Sequence, residues 1–252
     1  VSIAQIQMMR QDFSGAEKTY NELLTNFSQI TSVVMDAKNG LASLYEGRGD
    51  FDQALKIYDE IAKTASDENM RSWAHFSRAK IMAGQGNLDQ AEKVFNEIIR
   101  DPKFNPTTRF QAEMGLAEIL RKKNNPQGAL AIYNKMAKES MAESDKIAAL
   151  TAVAAIHVDF MQFDQAQKAY KQIIDQFPQN QSAQIDARLG LANSMKEAKQ
   201  YGEATAQYQD IIANYADAAQ TYWAYMGLAQ IQATTGQIDE ADGLGALAVR
   251  AD

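Results

Sequence analysis

Apolar residues recur along this chain at three- and four-residue spacing, pause at a short polar break, and resume. Between 37 and 62 the stripe runs through Ala37, Leu41, Leu44 and Tyr45, stops at "GRGD" (47–50), and continues through Phe51, Ala54, Leu55, Tyr58, Ile61 and Ala62. Such spacing lines one face of a helix, so the stretch predicts two amphipathic helices joined by a tight turn. The phrase then returns. "GDFDQALKIYDEI" (49–61) is echoed by "GNLDQAEKVFNEII" (86–99) and "FDQAQKAYKQII" (163–174).

Anchoring on the alanine of that phrase gives Ala16, Ala54, Ala91, Ala129, Ala166, Ala204 and Ala241, with gaps alternating between 38 and 37. Twelve residues before each anchor stands Ala4, Ala42, Ala79, Ala117, Ala154, Ala192 or Ala229, and five earlier again Ala37, Ala74, Ala112, Ala149, Ala187 or Ala224. Four residues after the anchor six units carry a ring: Tyr20, Tyr58, Phe95, Tyr133, Tyr170 and Tyr208. Three further on, the same six carry Leu23, Ile61, Ile98, Met136, Ile173 and Ile211. A fixed period of this length signals a repeat array. The expected fold is all-α, one solenoid over 1–252 in about seven units: 1–27 (truncated), 32–65, 69–102, 107–140, 144–178, 182–216 and 219–250.

The columns assign packing roles. Methyl side chains let helix backbones approach, and a neighbouring small column (Ser2, Gly40, Ser77, Gly115, Ala152, Gly190, Gly227) is expected to do the same. The rings are expected to fill the wider end of each helix pair. Asp50 with Gln53 and Asn87 with Gln90 predict side-chain caps, as do Asp217 with Gln220 and Ser140 with Glu143, while Pro126 after Asn125 predicts a helix start.

Composition narrows the function classes. Hydrophobic residues at 46% and charged residues at 23% fit a folded chain, and only four prolines suit helices. With 25 basic against 32 acidic residues the net charge is −7, which argues against nucleic acid and against a polybasic membrane patch. The most apolar run, "IAALTAVAAIHV" (147–158), is too short to span a bilayer, so no direct membrane insertion is expected. Cysteine is absent, which removes disulfides and thiolate ligands. No signal peptide is visible, yet the chain opens mid-pattern on Val1, so the expectation is that a targeting segment has been removed ahead of it.

The columns resemble the tetratricopeptide repeat, with its Trp–Leu–Gly–Tyr first helix and Ala–Phe–Ala–Pro second helix. "GLASLYEGRGDFDQALKIYDEI" (40–61) is a close match and "MGLAQIQATTGQIDEA" (226–241) a recognisable one, with Pro102 and Pro178 near the terminal proline. The resemblance implies a right-handed α-solenoid that binds a protein or peptide in a concave groove. Two departures stand out. The period exceeds the family's usual ~34 by about one helical turn, similar to bacterial envelope scaffolds of this family. The last unit puts Gly245 in the ring column with Gly243 before it, so its second helix is expected to fray.

First-helix residues facing away from the alanine columns form the candidate groove: Trp73, Phe76, Lys80, Ala83, Met114, Glu118, Arg121, Leu189, Asn193, Lys196, Trp223, Met226 and Gln230. Both tryptophans fall in one column, and Trp, Arg and Met are frequent interface anchors. The same offsets also serve packing against the next repeat. The family's two-carboxylate clamp is missing, because its offsets hold Asn39 with Ser43, Phe76 with Lys80, and Met114 with Glu118.

No catalytic constellation, cofactor site or metal site is expected. His75 and His157 stand 82 residues apart with no second ligand at metal-site spacing. "GQG" (84–86) and "GLG" (243–245) lack the strand and the following residues of a nucleotide loop. Asp67 and Glu68 suit a helix start, and "RKKNN" (121–125) suits a solvated helix end. The expected function is therefore a non-enzymatic scaffold, periplasmic or envelope-associated in a bacterium, with the cytoplasm as the alternative location. Two other readings accompany it: a regulatory or substrate-presenting part of a larger enzyme or membrane machine, and self-association through uncapped ends.

Overall fold

The computed structural model describes residues 1–215 and 219–237 of the 252. The chain divides into two compact units, Val1–Asn125 and Pro126–Asp252. The first holds α1 (Ser2–Met9), α2 (Phe13–Asn26), α3 (Thr31–Arg48), α4 (Phe51–Thr64), α5 (Glu68–Gly84), α6 (Leu88–Arg100) and α7 (Pro106–Lys122). The second holds α8 (Pro126–Glu139), α9 (Glu143–Asp159), α10 (Phe163–Gln176), α11 (Gln181–Glu197), α12 (Tyr201–Asn214) and α13 (Thr221–Thr234). Within each unit every helix packs on the next, and first helices also touch across a repeat, α5 on α7 and α11 on α13 among them. This is an all-α solenoid, with no strand among the described residues.

One device builds every first-to-second-helix turn. Gln11, Gly49, Gly86, Asn124, Met161, Lys199 and Gly236 occupy the same register, each at a φ between 55° and 87°. The next residue's N–H reaches back to a carbonyl five residues earlier, as in Asp50 to Tyr45 (2.8 Å), Asn87 to Met82 (2.9 Å) and Gln162 to His157 (2.7 Å). That is the Schellman ending, which satisfies orphan carbonyls and reverses the chain in a few residues.

The same turn precedes Asp12, Asp50 and Asn87, and of these three Asp12 alone caps its helix, accepting from Gly15 N–H at 2.9 Å with ψ at 69°. Asp50 and Asn87 make no side-chain cap, with ψ at 56° and 57°, and the Asp50 carboxylate sits 3.1 Å from Arg48 Nε instead. Ala142 precedes α9 without a cap, and Asp217 lies outside the described residues. Caps do form where the N-cap residue is extended: Asp67 accepts from Met70 N–H (2.8 Å), Asn105 from Thr108 (2.8 Å) and Asn180 from Ala183 (3.0 Å). Pro126 opens α8 as expected.

The alanine columns are the core. Ala4, Ala16, Ala37, Ala42, Ala54, Ala74, Ala79, Ala91, Ala112 and Ala117 are fully buried in the first unit, as are Ala129, Ala149, Ala154, Ala166, Ala192, Ala204 and Ala224 in the second. Ala229 is half-buried, and Ala241, Gly243 and Gly245 lie outside the described residues.

The rings add a contact that the column pattern did not show. Tyr20, Phe95, Tyr170 and Tyr208 each lie on the glycine of the following first helix, while Tyr20, Tyr58 and Tyr208 also reach the first helix of their own pair through their hydroxyls. A Cβ added at Gly40 would stand 2.2 Å from the Tyr20 ring, at Gly115 2.5 Å from Phe95, at Gly190 2.4 Å from Tyr170, and at Gly227 2.3 Å from Tyr208. These glycines admit a ring rather than a neighbouring backbone. Polar ties reinforce several repeat junctions: Tyr45 and Arg48 grip Glu17 (2.7 and 2.8 Å), Lys123 grips Asp89 and Glu92 (2.6 and 2.7 Å), and Gln167 donates to Gln200 (2.8 Å). Residues 122–125 are exposed, as the run "RKKNN" suggested, and Lys123 in addition meets two carboxylates there.

Candidate functional site

In the first unit the candidate residues ride on α5 and α7, spaced by three or four so that they share one face. Trp73 is half-buried, with its ring edge-on to Tyr58 at 5.0 Å and 76°. Phe76 tilts against Phe95 at 5.8 Å. Lys80 is exposed, but its Nζ lies 2.9 Å from Glu46 Oε1, while the Tyr58 hydroxyl donates to Glu46 Oε2 at 3.2 Å. Burial first, and then the Glu46 charge, push the Tyr58 phenol well above its ordinary range, so it remains a donor. Arg121 holds Glu118 through Nε and Nη2, both at 3.0 Å, one turn apart. Ala83 and Met114 are half-buried. Both cations of this face are therefore matched by carboxylates of the same unit, and Trp73 belongs to the packing around Tyr58.

The second unit differs. Leu189 on α11 is buried, and one turn on Asn193 is exposed, its Oδ1 accepting from the Tyr208 hydroxyl at 2.5 Å. Burial raises the Tyr208 phenol to about 12, with Glu197 contributing, so this hydroxyl also stays protonated. Lys196 Nζ donates to Gln230 Oε1 on α13 at 2.5 Å and stands 3.6 Å from Glu197. Trp223, two turns before Gln230, is 62% exposed and stacks edge-on to Tyr222 at 4.9 Å. Met226 is half-buried between them. The face is a small grid: Leu189 and Asn193 on α11, Trp223, Met226 and Gln230 on α13, with Lys196 bridging the two helices.

The three residues that set this geometry, Glu46, Tyr208 and Tyr222, were not among the sequence candidates. Tyr208 was assigned to the ring column without its hydroxyl partner. Glu46 sits in the same register as Ala83, Arg121 and Lys196, and that register was the available signal.

Each histidine has a neighbour within its own unit. His75 meets Phe104 edge-on at 5.4 Å, and burial, with Arg78 beside it, lowers its pKa. His157 Nδ1 lies 2.8 Å from Gln162 Oε1. Among the described residues no group of three His, Asp or Glu could hold a metal, and no helix is long and apolar enough to cross a membrane. An open depression of about 720 Å³ lies elsewhere, between the α9–α10 turn and the end of α11, lined by Met161, Phe163, Glu197 and Lys199.

A sequence profile described as tetratricopeptide repeat matches residues 2–69 and 79–144, and a second of the same description matches 149–180 and 186–218. No curated protein sequence matches the chain. Among solved structures, a tetratricopeptide repeat protein from Parabacteroides merdae superposes with a TM-score of 0.63 at 13% identity, covering 100% of this chain and 91% of that one. PilW, a type IV pilus biogenesis factor, gives 0.59 at 16% identity over 87% and 94%. The quorum sensor NprR from B. thuringiensis gives 0.53 at 12% identity over 99% and 85%.

Proposed function

Because the chain belongs to the tetratricopeptide repeat family, whose fold is a general protein-interaction scaffold, we propose that it is a non-catalytic scaffold holding a partner segment on the α11–α13 face. One observation carries this reading. Among the described residues of the candidate faces, Trp223 is the one aromatic that is mostly exposed, and it stands one turn from Met226 on α13. Large aromatic side chains left in water cost solvation free energy, and burying one against a partner recovers it. Affinity capture with the chain and with Trp223→Ala tests the reading: proteins lost selectively from the variant support it, and identical captures refute it. Trp73 makes a poorer probe, since it packs on Tyr58 and its removal would loosen the core.

The long repeat period motivates placing this scaffold in a bacterial envelope complex; fractionation of the source cells tests that location, and recovery in the cytosol would remove it. Self-association is a second reading with its own observation. Ile3 and Ile6 on α1 are 67% and 49% exposed, whereas Leu41 and Leu44, the same register one repeat on, are buried against α2. Light scattering over a concentration series should show growing mass, and a constant monomer mass would end this reading.

A further inference from the structure

We propose that the α9–α10 turn is a self-recognition surface. Two copies of the chain pair about a two-fold axis, each setting Phe160 and Met161 against the depression beside the same turn of the other. The contact uses the edge formed by the turns, and neither the groove residues of α11 and α13 nor the exposed residues of α1.

This turn differs in chemistry from the others of its register. At the positions of Phe160 and Met161 the other six turns hold polar residues, alanine or glycine, as in Arg48–Gly49 and Lys123–Asn124. Here Phe160 is 38% exposed, and Met161 is 77% exposed at a φ of 55°. A methionine in this place carries two costs. Its backbone occupies the left-handed region that glycine fills without strain, and its side chain stands in water. The turn itself requires neither, since Gly49 and Gly86 make the same reversal. Strain and apolar exposure that the fold does not need, side by side at one turn, point to a contact surface.

Room for such side chains lies next to them. The depression of about 720 Å³ is walled by residues 161–165 on one side and by Glu197, Ala198 and Lys199 on the other. A projection and a hollow thus share one surface of the second unit, which is what an isologous contact needs, because each copy offers what the other receives. Charge selects the same guest. Asp164 and Lys199 both line the depression and are exposed, and neither enters an ion pair among the described residues, whereas Glu197 stands 3.6 Å from Lys196. A guest of one charge sign would match one of them and oppose the other. In a two-fold pair, Lys199 of each copy meets the partner's Asp164, so both are matched, twice over. Such exposed pairs set register, and the apolar contact supplies most of the affinity. The patch is smaller than a standard interface, so the dimer is weak and reversible, dissociating at roughly tens to hundreds of micromolar.

The test is sedimentation velocity on the chain and on Ile3→Glu protein, whose α1 face is spoiled by a carboxylate that suits the first turn of its helix. Over about 5–500 µM, Ile3→Glu protein should pass from monomer to dimer and stop at two, because an isologous contact closes. Adding Met161→Gly should weaken dimerisation by about 10-fold or more without lowering the melting temperature, which separates a lost contact from a lost fold. Asp164→Lys and Lys199→Asp should each weaken it by about 3-fold or more, since symmetry makes each change count twice. Together they should restore it to within about 2-fold. In Ile3→Glu protein, growth beyond two, a dimer indifferent to Met161→Gly, or no recovery in the double exchange would each overturn the proposal. Association in the chain that vanishes in Ile3→Glu protein would overturn it too, and would leave the α1 reading standing. A monomer mass throughout in both proteins would end both readings.

Discussion

Gly115→Ala and Gly47→Ala make the same chemical change inside two first helices of one unit, and the packing predicts opposite outcomes. Gly47, near the end of α3, has nothing within 4 Å of an added Cβ. Alanine there gains helix propensity, about 1 kcal/mol of stabilisation. At Gly115 the added methyl would stand 2.5, 2.7 and 3.0 Å from three atoms of the Phe95 ring. Carbon atoms rest at about 3.5 Å or more, so the ring must retreat by about 1 Å. Phe95 is 2% exposed and has little room to do so. Overpacking of this kind costs about 1–3 kcal/mol, and with three ring atoms in the way the upper part of that range applies. After the propensity gain, a net loss of about 2 kcal/mol remains. Repeat arrays lose cooperativity between units, so the reading should come from hydrogen exchange of the α6 and α7 amides beside urea midpoints. Phe95→Leu should recover part of the Gly115→Ala loss by making room. Equal stabilisation by both alanines, or no recovery by Phe95→Leu, would refute the assignment of ring onto glycine.

Met161→Gly should stabilise by about 1 kcal/mol, because Met161 holds φ at 55° where Gly49 and Gly86 serve the equivalent turns; an unchanged or lower melting temperature would count against that. Ser72 is fully buried and its hydroxyl has no partner, so Ser72→Ala should raise stability by about 1 kcal/mol, and a loss in urea melts would contradict this. Burial lowers the His75 pKa below its ordinary 6.5. The unfolded chain therefore takes up the proton first, and this contribution to stability, complete above 6.5, declines as pH falls below it. Urea midpoints between about pH 7.5 and 5.5 should drop less steeply in His75→Gln; parallel slopes would show that His75 is not responsible.

The repeat was legible because its signal is local and multiplied: a misread residue in one unit is corrected by six others. Burial of Ala54, Ala91 and Ala166 followed from helical spacing alone. The caps were less legible. Asp50 and Asn87 are good capping residues by type, yet neither caps, whereas Asp12 after the same turn does; an adjacent Arg48 takes the Asp50 carboxylate. The glycine column was visible while its purpose was not, since the ring it admits lies about 20 residues earlier in sequence, on the preceding second helix.

The site residues show the same limit more sharply. Trp73 and Trp223 share a register, yet one rests on Tyr58 and the other stands in water. Lys80 stands among the groove candidates, and its partner Glu46 is 34 residues away in sequence and adjacent only after the repeats stack. Single-residue availability depends on neighbours one repeat distant, which periodicity places but does not pair.

The most direct measurement is acrylamide quenching of Trp223 emission in Trp73→Phe protein, with and without a saturating partner segment. Partner seated on the α11–α13 face predicts a clearly shallower quenching slope and a blue-shifted emission maximum. A slope and maximum that stay unchanged at full occupancy would contradict it.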